Sequence, residues 1–117
     1  VEAATQEILT AGRLQIRPAE FTALADGRPL ILTVRELQLL AALARRGGRI
    51  VSREELYAVV WGRDFRREER SVDVYVRKLR GKLEKELPDV RFIHTHFGFG
   101  YRFAAEPAQP PRAVSSL

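Results

Sequence analysis

The chain has 117 residues, enough for one domain with a modest core, and 45% of them are hydrophobic, an ordinary fraction for a globular protein. Its formal net charge of +5 points to a polyanionic partner, either nucleic acid or an acidic membrane surface. The absence of Cys excludes a disulfide framework, a thiol nucleophile and a Cys-ligated metal. No apolar run approaches the ~20 residues of a spanning helix and no signal-peptide pattern opens the chain, which suits a cytoplasmic protein. The chain also lacks Met. That fits a piece of a longer protein, and equally a chain from which Met was removed ahead of Val1.

Residues 1–7 are short and polar and read as a linker or disordered lead-in. Residues 8–32 contain short apolar segments broken by turns. Leu14 and Ile16 alternate with polar neighbours, as do Leu30 and Leu32, and Asp26-Gly27 is a strong hairpin pair, so a small antiparallel sheet of three or four strands is expected. Three helices follow. Thr33-Val-Arg-Glu36 is a capping box ahead of Leu37, Leu40, Leu43 and Ala44, and Gly47-Gly48 closes that helix. Ser52-Arg-Glu-Glu55 is a second capping box ahead of Leu56, Val59 and Val60, and Trp61-Gly62 closes a shorter helix. A loop of mixed charge, Arg63, Asp64, Phe65, Arg66, Arg67, Glu68 and Glu69, leads into the third helix, 70–86, which Pro88 stops.

That third helix has two unlike faces. At about 100° per residue, Val72, Val76, Leu79 and Leu83 fall on one stripe, and Arg70, Asp73, Val74, Arg77, Lys78 and Gly81 on the opposite side. Tyr75 and Lys82 lie along one border of the outer face and Arg80 along the other. From Arg70 to Lys85 there are six Lys/Arg and two Asp/Glu, a net of +4 out of the chain's +5. A surplus held by one helix is the electrostatic footprint of a surface that binds a phosphate backbone. A hairpin follows over 91–103, turning at Phe97-Gly98-Phe99-Gly100. The Pro-rich stretch 104–117 has little to bury and is expected to be disordered.

The order of sheet, three helices and hairpin describes an α+β domain over 8–103: a winged helix-turn-helix with an N-terminal antiparallel sheet and a C-terminal β-hairpin wing. Its cationic third helix suits the major groove and its wing an adjacent groove. Within the cationic face, Asp73 has two readings: acceptor for cytosine N4, or an i,i+4 partner that orients Arg77. The pairing is favoured. His94 and His96 share one side of a strand but have no Cys or well-placed third ligand, so no metal is expected. His96 is read as a partial cation near phosphate, and Lys82 as a phosphate contact. Trp61 is read mainly as a packing residue with an indole N–H free to donate to phosphate. Phe99 is expected in the core. Phe97, at the wing tip, is open between packing on the domain and pressing against sugars or a base step. There is no nucleophile–base constellation and no phosphate-cradling Gly-rich loop, so neither an enzyme nor a cofactor is expected. The competing class is a winged-helix protein-interaction module without specific DNA binding. Membrane-surface binding lacks an amphipathic apolar face.

The linked segments LTVRELQLLAAL (32–43), GGRIVSREELYAVVWG (47–62), RSVDVYVRKLRGKLE (70–84) and GFGYRF (98–103) resemble the C-terminal effector domain of OmpR/PhoB-type response regulators of two-component systems, in order and at that family's spacing. The resemblance implies a transcription regulator that binds double-stranded DNA at tandem direct repeats, monomeric when free and paired on DNA. It also implies contact with RNA polymerase through the loop 63–69. By position it makes Arg70, Ser71, Tyr75 and Arg80 phosphate contacts of the recognition helix, Val74, Arg77 and Lys78 base-facing, and Trp61, Thr95 and Tyr101 backbone contacts. In the family the wing commonly reads Thr-Val-Arg-Gly, with the Arg in the minor groove. Here Thr95-His96-Phe97-Gly98 puts Phe97 in its place, and Gly81 replaces a usual long basic residue.

Overall fold

The computed structural model describes residues 6–62 and 71–108. Four short strands open the domain: β1 (Leu9–Ala11), β2 (Leu14–Arg17), β3 (Thr22–Ala25) and β4 (Arg28–Pro29). They form an antiparallel meander in sequence order. The alternation read at Leu14 and Ile16 puts both side chains in the core, and across β3 it does the same for Ala23 and Ala25. Asp26 and Gly27, at φ 53° and 78°, link β3 to β4 in the positive-φ pairing that a two-residue hairpin of right-handed twist demands.

Helix α1 (Val34–Arg45) is the hub of the domain. It packs on the first sheet and on α2 (Arg53–Trp61), α3 (Ser71–Glu86) and the last strand, β7 (Gly100–Pro107). A single apolar stripe does not describe it. Leu39, Ala41 and Ala42 are buried along with Leu37, Leu40 and Leu43, because neighbours cover the helix on nearly every side. Its capping box is complete: the Glu36 amide donates to Thr33 Oγ1 at 3.1 Å and the Thr33 amide to Glu36 Oε1 at 2.8 Å. The second box is only half made. Ser52 Oγ accepts from the Glu55 amide at 3.0 Å, but the Glu55 carboxylate is held by Arg46 and Arg49, each at 2.9 Å.

On α3 the predicted stripe of Val72, Val76, Leu79 and Leu83 is buried to within 2% exposure. Strands β6 (Val90–His96) and β7 form the wing hairpin, and a two-residue strand, β5 (Ile50–Val51), pairs with the far edge of β7. The wing is longer than its apolar residues suggest. Val90 pairs with Pro107 and Arg91 with Glu106, so residues 104–107 continue the strand where the sequence was expected to turn disordered. Backbone pairing with β6 carries these residues, which lie outside the core, without help from it. The register shifts between Arg91 and Ile93, and as a result the sequence neighbours Phe92 and Ile93 are both buried. At the root of the wing, Gly100 sits at φ 144°, and a Cβ there would lie 2.0 Å from the Val51 carbonyl oxygen. The wing can pass this close to β5 only as glycine.

Candidate nucleic-acid interface

The outer face of α3 is built as its periodicity requires. Val74, Arg77, Lys78 and Gly81 face solvent, and Val74 is 40% exposed. Among the described residues Arg77 has no acidic partner. The Lys78 ammonium lies 5.7 Å from the centre of the Tyr75 ring, whose edge meets Trp61 at 5.6 Å. Trp61 in turn stacks on Tyr57 at 5.2 Å and 9°, and the Arg35 guanidinium sits 5.2 Å from its ring while donating to the Val60 carbonyl at 2.7 Å. This ladder joins the start of α1, the end of α2 and the outer border of α3. It fixes the attitude of Tyr75 and Lys78 through packing and cation–π attraction.

Asp73 is engaged differently from the favoured expectation. Its carboxylate does not pair with Arg77. It accepts from Arg53 Nη1 at 2.7 Å and from the Tyr101 hydroxyl at 2.6 Å. An i,i+4 surface pair is weak, whereas here two donors from α2 and the wing converge on one acceptor. Burial pushes the Tyr101 hydroxyl up to about 12, and the bond to Asp73 adds to this, so the phenol stays a donor. Asp73 raises the Arg53 guanidinium further above its already high value. Asp73 therefore clasps the N-terminal turns of α2 and α3 to the wing. Arg53, half exposed beside it, is a cation of this surface that periodicity within α3 could not reveal.

Two cations expected on phosphate are turned toward the domain. Lys82 donates to Glu36 Oε1 at 2.7 Å. Glu36 is 1% exposed. Desolvation pushes its carboxyl up, but the bonds from Lys82 and the Thr33 amide outweigh that and hold it below the usual carboxylate value. A buried carboxylate needs such a partner, and the border of α3 supplies it. Arg80 donates from Nη2 to Thr95 Oγ1 at 2.8 Å and so ties the wing to α3. Arg102 Nε donates to His96 Nε2 at 3.1 Å, so that ring nitrogen is engaged within the wing itself. His94 Nε2 faces the Ala104 carbonyl at 2.9 Å, a different partner. Phe99 is 74% exposed, not in the core, and Phe97 is 86% exposed. Residues 63–69, Arg70 and the side chain of Ser71 lie outside the described residues.

A family model described as "Transcriptional regulatory protein, C terminal" matches residues 27–103. The chain is 36% identical over 100 residues to the alkaline phosphatase synthesis transcriptional regulatory protein SphR of Synechococcus elongatus, covering 86% of this chain and 39% of that protein. It is 40% identical over 91 residues to the transcriptional regulatory protein AfsQ1 of Streptomyces coelicolor, covering 78% and 40%. It thus spans about two fifths of the length of these relatives. Among solved structures, the DNA-binding domain of CpxR from E. coli superposes with a TM-score of 0.73 at 32% identity, covering 84% of this chain and 96% of that one. The Klebsiella pneumoniae RstA DNA-binding domain, solved in complex with the RstA box, gives 0.75 at 30% identity over 84% and 97%. Response regulator DrrB of Thermotoga maritima, described as an OmpR/PhoB homolog, gives 0.70 at 30% identity over 83% and 44%. The chain belongs to the family of transcriptional regulatory protein C-terminal domains, the winged-helix domains of OmpR/PhoB-type regulators.

Proposed function

We propose that this domain is a sequence-specific, double-stranded DNA-binding transcriptional regulator that seats α3 in the major groove and sets its wing against an adjacent groove. One observation carries the reading: α3 presents Val74, Arg77 and Lys78 outward on a helix whose borders are locked to α1, α2 and the wing, so a preorganised cationic edge is offered to a duplex. Arg77 and Lys78 discriminate bases, with Val74 in apolar contact. Arg53, Tyr75, Trp61, Thr95 and Arg80 hold the backbone, together with Arg70 and Ser71. The likeness to the DNA-bound RstA domain supports this reading. The domain works in the cytoplasm as a free monomer that pairs on tandem direct repeats about one helical turn apart, and the loop 63–69 contacts RNA polymerase. Among the described residues no helix is long and apolar enough to cross a membrane.

Random-site selection on duplex DNA at a fixed salt concentration tests the reading and is expected to return one enriched motif. With about three cations on phosphate, Arg53, Arg70 and Arg80, log K should fall against log salt with a slope of about −3. A flat salt response, or no enriched motif, would remove DNA binding in favour of a protein-interaction module.

A further inference from the structure

Phe97 and Phe99 are the most exposed aromatic side chains among the described residues. They flank Gly98, at φ 84°, in a three-residue turn that the Phe99 amide closes onto the His96 carbonyl at 2.8 Å. Small polar residues would build the same turn. Two phenylalanines held in water by an ordered turn forgo burial that a partner would supply. Across 96–100 the tip holds no Lys or Arg, and His96 accepts from Arg102 through Nε2. Its chemistry is apolar.

The position of the tip narrows the partner. Tyr101 is bound to Asp73, and Thr95 to Arg80, so the hairpin is anchored to α3 on both sides just below its tip. Phe97 overhangs the hollow that Arg53, Asp73, Thr95 and Tyr101 line. It also borders the hollow formed by Arg80, Glu84 and Arg91. The tip thus continues the cationic surface, about 7 Å of strand beyond the anchors. A duplex whose major groove holds α3 runs its phosphate backbone past these hollows and brings its minor groove to the tip. Resting on the DNA-binding reading above, we propose that Phe97 and Phe99 form a two-pronged apolar wedge that enters the flanking minor groove and partly unstacks a flexible pyrimidine–purine step. The wing then reads deformability where an arginine would read the negative potential of a narrow groove.

Site selection with the wild-type domain should return a central motif and, about half a helical turn outside it, a TA or CA/TG step. A 2-aminopurine placed at that step should brighten on binding. In the double variant Phe97→Ser/Phe99→Ser the central motif should persist, while the flank preference and the brightening disappear. Affinity should fall about tenfold with the log–log salt slope unchanged, because no cation has been removed. Phe97→Arg should instead steepen that slope by about one and move the flank preference to A/T-rich sequence. A motif retained with the same flank and the same 2-aminopurine intensity in wild type and double variant overturns the wedge and leaves DNA binding standing. Unchanged single-site affinity with loss only of paired-site cooperativity overturns it in favour of a second copy of the domain. Absence of any motif removes both readings.

Discussion

Arg77 and Lys78 stand at the middle of α3's outer face, and within a turn beyond them Arg80 and Lys82 lean onto neighbouring elements. The first pair is exposed. The second donates to Thr95 on the wing and to Glu36 on α1. All four contribute equally to the net charge that makes α3 conspicuous, yet two face outward and two fix the helix in place. The difference is one of angle about the helix axis. A long basic side chain at the border of an exposed face reaches packed elements on either side, and there it meets acceptors: the Thr95 hydroxyl, and the Glu36 carboxylate, whose burial demands a donor. Net charge therefore overstates the cations that a ligand can neutralise, and it says nothing of those that orient the rest.

The most severe way to break this division is to remove the inward ammonium. Lys82→Met keeps the stem but leaves the Glu36 carboxylate buried with only the Thr33 amide as a partner. Because the Lys82 ammonium is part-solvated, with its side chain 39% exposed, the loss belongs at the low end of the range for broken buried pairs, about 2–3 kcal/mol of stability. The pH dependence has a definite sign. Glu36 is depressed in the folded protein, so its contribution is fully present above the usual carboxylate range and is lost as pH falls through the lower, folded value. Urea unfolding of wild type and variant should differ most near neutral pH and converge in acid. A pH-independent gap would show that the ion pair with Glu36 is not what Lys82 contributes to stability.

For the outward pair the expectation reverses. Arg77→Ala and Lys78→Ala should leave the unfolding midpoint nearly unchanged and cost about 1–3 kcal/mol of affinity at the cognate motif, with relaxed preference at single positions. Comparing cognate with scrambled duplex checks this, and equal losses on both would move these residues to the backbone.

How much of this division was legible beforehand depends on whether a feature is carried within one element. The buried stripe Val72, Val76, Leu79 and Leu83, the box at Thr33 and Glu36 and the Asp26-Gly27 turn are local patterns, and each is built as read. Strand β5 is two residues long and exists only because β7 lies beside it. Asp73 was read against its helical neighbour because the partners that hold it come from residues 53 and 101, and no spacing within α3 brings those to it. Phe99 was assigned to the core on hydrophobicity alone, which fails at a hairpin tip where no facing layer exists.

Arg80 lies between the two classes, and its effect should be intermediate. Arg80→Ala removes a cation and also the wing anchor at Thr95. It should weaken binding to every sequence alike and lower the salt slope by about one. Thr95→Val, which deletes only the hydroxyl, separates the contributions: a loss of affinity at unchanged slope is the cost of the anchor alone. If Thr95→Val binds as wild type does, the bond at 2.8 Å orients nothing that DNA touches.

The smallest expected effect is at Gly81, on the outer face one turn beyond Arg77 and Lys78. A Cβ there would meet nothing within 4 Å. The helix therefore carries the conformational entropy of a mid-helix glycine with no close approach within the domain to account for it. Gly81→Ala should stabilise the domain by about 1 kcal/mol in thermal or urea unfolding and leave the selected motif unchanged. Gly81→Lys makes the sharper comparison. If the phosphate backbone passes over this end of α3, a third outer cation should join Arg77 and Lys78, and the log–log salt slope should steepen by about one. If the slope is unchanged while stability rises, the duplex leaves α3 before Gly81, and the outward face that reads DNA is confined to the helix's N-terminal half.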